Sequence, residues 1–141
     1  MSNIDVNIYK ECAEKAMFEA SDVLIGKFRP EKPSELKRFY KSVNALVTDA
    51  DLASDKKISE NLNDSRLKAN IYSEESKKTI DENSNLFWLI DPLCGTVPYS
   101  LGMDHWGINI ALRDKEKLIL SCLSSPSIGE YFSAVQGQGV T

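Results

Sequence analysis

The sequence predicts an α+β fold, with helices packed on a largely antiparallel sheet. Two observations carry that expectation. In the first half of the chain apolar residues recur mostly at three- and four-residue steps, the period of a helix. From Phe87 onward they run or alternate in short stretches bounded by turn residues, the pattern of strands. Helices followed by strands suit a layer of helices on a sheet.

Residues 5–28 read as a long amphipathic helix. Val6, Ile8, Cys12, Ala13, Met17, Ala20, Val23, Leu24 and Phe28 form its apolar side, Asp5 is an N-cap candidate, and Pro30 lies just past the end. Residues 29–42 read as a polar connector, mobile or a lid. A second helix is expected from Thr48 or Asp49 to Leu62, with Leu52, Ala53, Ile58 and Leu62 as its apolar side. Asn61 to Lys68 reads as a loop, and Ala69 to Ser73 as a short strand ending in Glu74-Glu75. Phe87 to Ile90 is a buried strand that should stop at Asp91-Pro92, because proline fixes φ and lacks a backbone donor. Trp106 to Leu112 and Leu118 to Leu123 form a hairpin around the polar turn Arg113–Glu116. Tyr131 to Val135 is a further strand, and Gln136-Gly137-Gln138-Gly139 a turn.

The chain has 141 residues, enough for one core. Its 42% hydrophobic and 27% charged residues are ordinary for a globular protein. A net charge of −4 without a basic patch argues against nucleic acid as a partner. A mildly acidic protein still binds phosphate esters where metal ions supply the positive charge. No apolar run approaches a membrane span. The start, Met1-Ser2-Asn3-Ile4-Asp5, lacks the pattern of a signal peptide. Three widely spaced cysteines and one histidine fit neither a disulfide framework nor a zinc site, and a cytoplasmic location is expected.

The most informative stretch is Trp88-Leu89-Ile90-Asp91-Pro92-Leu93-Cys94-Gly95-Thr96. An acid, a carbonyl, bare amides and a hydroxyl follow a strand end within six residues. That set suits a divalent metal beside a phosphate.

This segment resembles the Asp-Pro-(Ile/Leu)-Asp-Gly-Thr signature of the inositol monophosphatase family, which are Mg-dependent, lithium-sensitive phosphomonoesterases. They include inositol phosphatases, bisphosphate nucleotidases and some fructose bisphosphatases. Val47-Thr48-Asp49-Ala50-Asp51 resembles the family's Val-Thr-x-x-Asp, and Tyr72-Ser73-Glu74-Glu75-Ser76 its Gly-Glu-Glu-Ser. Gly107-Ile108-Asn109-Ile110-Ala111-Leu112 and Gly137-Gln138-Gly139-Val140 are similar to its later strands and Gly-x-Gly turn.

The resemblance implies the N-terminal part of the family's αβαβα layered fold. It implies Asp51, Glu74, Asp91 and the Leu93 carbonyl as metal ligands. Asp51 and Thr96 would orient the attacking water, and the amides of Gly95 and Thr96 would bind phosphate. The implied cofactor is Mg2+, with Mn2+ as the alternative. The implied activity is hydrolysis of a small phosphorylated alcohol (inositol, sugar or nucleotide phosphate), in a homodimer as is common in the family.

Two departures qualify this. Cys94 stands where the family has its second aspartate, and a thiol is a poor Mg2+ ligand. It is expected to be a small buried residue rather than a ligand. The chain is also about half the family's length, so residues 1–141 read as an N-terminal domain whose C-terminal half, with a Trp-Asp motif completing the site, is absent. The alternative function is therefore a non-catalytic or truncated member, acting as a binding or dimerisation module. Asp49 and Asp55 are expected to be solvated helix acids, Glu75 an acid behind the ligands or on the surface, His105 structural, and Trp88 and Trp106 core. Tyr99 and Ser100 are candidates for the pocket edge.

Overall fold

Two helices lie on one face of a five-stranded sheet, and a two-stranded hairpin stands beside them. The computed structural model describes residues 5–42, 45–75 and 84–141. Ser76, the last letter of the glutamate motif, and residues 1–4 lie outside the described residues.

Helix α1 (Val6–Lys27) begins where Asp5 accepts a hydrogen bond from the Asn7 amide at 3.1 Å. The cap satisfies one of the amides that a helix start leaves unpaired. Its buried side carries Ala13, Ala16 and Ala20 beside Met17 and Leu24. Small residues along this stripe let the second helix, α2 (Asp49–Leu62), pack closely. Thr48 caps α2 in a capping box with Asp51: each side chain accepts from the other's backbone amide. Of the two helix acids expected in water, Asp55 is instead 4% exposed. It lies on the α2 side that also buries Asp51, Ile58 and Leu62, one to two turns away, so helical period placed it inside. Asp49 is partly buried and pairs with Lys27 at 3.9 Å.

The connector expected over residues 29–42 carries structure. A 3-10 turn at Pro33–Glu35 leads into β1 (Arg38–Ser42), which pairs antiparallel with β2 (Ala45–Thr48). The Phe39-Tyr40 pair and Leu46-Val47 supply the aromatic and branched side chains that favour a pleated ribbon.

The main sheet runs in the order β3 (Ala69–Ser73), β4 (Leu86–Cys94), β5 (Gly107–Arg113), β6 (Leu118–Ser125), β7 (Glu130–Val135). Only the β3–β4 pairing is parallel, so the sheet is largely antiparallel as expected. Leu86, Trp88 and Ile90 face the helices, and a buried row continues from Ile90 through Ile110 and Cys122 to Ser133. Trp88 and Trp106 are core residues, at 0% and 4% exposure. Gly107 is required by close packing: a Cβ there would lie 2.0 Å from the Ser124 carbonyl oxygen. The opposite face shows Leu89, Leu123 and Phe132 to solvent, each more than two-fifths exposed.

Strand β4 does not stop at Asp91-Pro92. It continues to Cys94, with the register slipping between Asp91↔Asn109 and Cys94↔Gly107. Pro92 falls inside this bulge, where its missing amide breaks no ladder bond. A short helix, α3 (Thr96–Ser100), follows at once. Tyr99 and Ser100 do not line the pocket described below. Tyr99 is buried against Phe28 and Trp106, and its hydroxyl donates to the Leu24 carbonyl at 2.7 Å. That carbonyl lies in the last turn of α1, where helices leave acceptors unpaired. Tyr99→Phe should therefore destabilise the chain by about 1–3 kcal/mol, because the buried acceptor loses its donor. Urea denaturation of the two proteins measures this.

Candidate functional site

Strand pairing sets two acids side by side. Strands β3 and β4 are parallel with Ser73 opposite Ile90, so Glu74, just past the end of β3, comes beside Asp91, the next residue of β4. The Glu74 amide donates to the Ile90 carbonyl at 3.2 Å and extends this pairing past the strand. Asp91 is partly buried, and its Oδ1 is a buried atom without a hydrogen-bond partner. Burial raises the Asp91 pKa, while the Leu93 amide, the Cys94 thiol and the Glu74 carboxyl pull it back. Glu74 is raised by burial and then by the Asp91 charge beside it.

Asp51 is 0% exposed and lies in a second, adjoining cluster. Its Oδ1 accepts from the Thr48 amide at 2.7 Å and the Thr48 hydroxyl at 2.6 Å. Its Oδ2 accepts from the Thr96 hydroxyl at 2.8 Å. The same hydroxyl lies 3.3 Å from the Leu93 carbonyl. Gly95 makes the turn into α3 at φ 92°, and a Cβ there would meet the His105 carbonyl at 2.4 Å. Both facts require glycine.

A shallow cavity of about 520 Å³ opens here, lined by Lys41, Leu46, Glu74, Glu75, Gly95 and Thr96, among others. Lys41 was not a sequence candidate; its only signal is the basic run before β1. Its Nζ lies 3.1 Å from Glu75 Oε1 and 3.4 Å from the Glu74 carbonyl. Glu75 is thus an ion-paired acid behind Glu74, its side chain 5% exposed. His105 is exposed on the chain before β5 and lines no part of this cavity.

Cys94 is exposed, unlike Cys12 and Cys122, and so is not the small buried residue expected. The reason is its place at the end of β4 beyond the bulge, on the side away from the helices. Burial of the sulfur and then the Asp91 charge raise its pKa.

Among the described residues, no three His, Cys, Asp or Glu side chains gather closely enough to hold a metal ion. Both Asp51 oxygens already face the two threonine hydroxyls. The Glu74–Asp91 pair nevertheless suits one hard cation. The Asp91 charge disfavours that of Glu74, and a buried Asp91 oxygen lacks a partner. Glu74, Asp91 and the Leu93 carbonyl are oxygen donors, as Mg2+ prefers.

These shifts fix the sign of one pH effect. A carboxyl whose pKa is raised by folding holds its proton more tightly in the folded chain. Its contribution is present below the ordinary carboxylate range and lost as pH rises through that range toward the raised value. Asp91→Asn should therefore raise the metal-free melting temperature at neutral pH, and the gain should vanish near pH 3. Thermal unfolding across pH without divalent cations checks it; a lower melting temperature at neutral pH would contradict it.

Comparison with known proteins gives the same placement. The profile of the inositol monophosphatase family matches residues 5–141. The Nus factor SuhB of Pasteurella multocida is 35% identical over 109 residues, covering 77% of this chain and 41% of that protein. The crystal structure of the extragenic suppressor protein suhB from Bartonella henselae superposes with a TM-score of 0.82 at 26% identity, covering 96% of this chain and 50% of that one. An IMPase/NADP phosphatase solved with Mg2+ and phosphate shares the fold, with a TM-score of 0.70 at 19% identity over 87% of this chain and 46% of that one. The chain thus spans about half the length of the relatives it matches. With the family pattern running from residue 5 to the last residue, on the fold of its solved members, this chain belongs to the inositol monophosphatase family.

Proposed function

We propose that the chain is the N-terminal half of a metal-dependent phosphomonoesterase acting on a small phosphorylated alcohol, such as an inositol, sugar or nucleotide phosphate. The observation that carries this reading is the hydrogen bond from Thr96 to Asp51 beside the Glu74–Asp91 pair. In family members of ordinary length the second half would complete the site.

Glu74, Asp91 and the Leu93 carbonyl would hold Mg2+ or Mn2+. Bound there, the ion would acidify a water and neutralise phosphoryl charge. The chain's own contribution is orientation. Because the Thr96 hydroxyl gives its proton to Asp51, its lone pairs are left to accept from a water and aim it at phosphorus. The Gly95 and Thr96 amides would hold the phosphoryl oxygens, and the positive φ of Gly95 lets the backbone approach them. Lys41, which also lines the cavity, is held by its ion pair with Glu75.

A second reading rests on Cys94 and on the relatives named Nus factors, a name that denotes something other than hydrolysis. In it the fold is kept as a binding or dimerisation module, and composition alone does not bar a nucleic acid from such a surface. That no helix among the described residues is long and apolar enough to cross a membrane agrees with either reading.

Thr96→Val should lower kcat on a phosphate monoester by about 100-fold while metal affinity stays near that of the unaltered chain. Steady-state kinetics with calorimetric Mg2+ titration separates the two effects, and equal loss in both would remove the water-orienting role. Cys94→Asp should tighten Mg2+ binding by about tenfold, since it exchanges a soft thiol for a hard carboxylate. A folded Cys94→Asp chain with neither tighter binding nor activity would favour the binding-module reading.

A further inference from the structure

The bulge in β4 needs an outside partner, and α2 provides it. Pro92 and Leu93 fall between the register pairs Asp91↔Asn109 and Cys94↔Gly107, so neither has a cross-strand partner there. Pro92 is buried, and a buried carbonyl outside the ladder costs free energy unless something donates to it. The donor is Ser54, itself 0% exposed, whose hydroxyl lies 2.6 Å from the Pro92 carbonyl oxygen.

That carbonyl shares one planar peptide unit with the Leu93 amide. Fixing one end of a rigid plane fixes the other. The Leu93 carbonyl follows in the same bulge. Ser54 lies three residues after Asp51 on α2, so one helix turn reaches both halves of the site. Nothing in the sequence motifs singles out Ser54.

We infer that Ser54 is a positioning residue for the metal-facing turn, holding the Pro92–Leu93 peptide of the bulge and thereby setting where the Leu93 carbonyl that follows is offered. The inference rests on the metal-dependent reading above. A hydroxyl bonded to the peptide just before a ligand carbonyl acts as outer-shell partners do, by orienting rather than touching the ion.

The test is calorimetric titration of Mg2+ and of Mn2+ into the 141-residue chain and four variants. Ser54→Ala should weaken binding by about tenfold while circular dichroism shows the fold retained. Ser21→Ala is the control for simple destabilisation. Ser21 is equally buried and bonds Ser124 at 3.1 Å across α1 and β6, away from the acids. It should lower the melting temperature and leave metal affinity within about twofold. If Ser54→Ala does not fold, Ser54→Cys, a weaker donor of similar size, is read by the same criterion. Affinity within about twofold of the unaltered chain, in a background where Asp91→Asn has lost binding, overturns the role of Ser54. No binding by the unaltered chain, or full binding by Asp91→Asn, overturns the metal reading itself and this inference with it.

Discussion

One carboxylate ties the site end of the molecule together. Asp51 takes the amide and hydroxyl of Thr48 on one oxygen and the hydroxyl of Thr96 on the other. Thr48 ends β2, Asp51 opens α2, and Thr96 opens α3. The β2–α2 junction and Thr96, 45 residues beyond Asp51, therefore meet at a group that is wholly buried. A buried carboxylate is costly unless its lone pairs are filled, and here three donors fill them. The arrangement serves as helix cap, tertiary joint and chemical group at once. Packing alone tolerates shifts of side chains, whereas three short hydrogen bonds to one carboxylate fix the direction of the Thr96 hydroxyl.

The parallel pairing of β3 with β4 is the second constraint. In antiparallel neighbours, residues just past the two C-terminal ends lie at opposite edges. Here Glu74 and Asp91 emerge together, which concentrates negative charge where burial already disfavours it. Such a placement disfavours the charged form of both carboxyls. The opposite sheet face leaves Leu89, Leu123 and Phe132 exposed.

The helices were legible because period and termini agreed: Asp5 caps the first as expected, and the second starts at Asp49, one of the two expected positions, with Thr48 as its cap. The later strands were legible from alternation, to within a residue or two at each end. Four features were hidden. The β1–β2 hairpin is short and lies among charges, so no run of alternation marks it. The continuation of β4 through Pro92 depends on a bulge and on Ser54, a tertiary partner that spacing cannot reveal. The exposure of Cys94 follows from that same bulge, and the burial of Asp55 from a helix whose apolar side is sparse. The motif acids were found by resemblance. What sequence order did not convey is their grouping, Glu74 with Asp91 and Asp51 with Thr96.

The bulge has a chemical consequence of its own. It presents a single accessible sulfur beside the two facing carboxyls, while the other two thiols stay within the core. Negative neighbours keep that sulfur protonated and slow toward electrophiles. A cation settling among those neighbours would reverse their influence and quicken alkylation. The substitution that weakens the chain's claim to a second metal ion thus equips it with a built-in reporter, whose reaction rate follows the charge state of the site residue by residue and without any substrate.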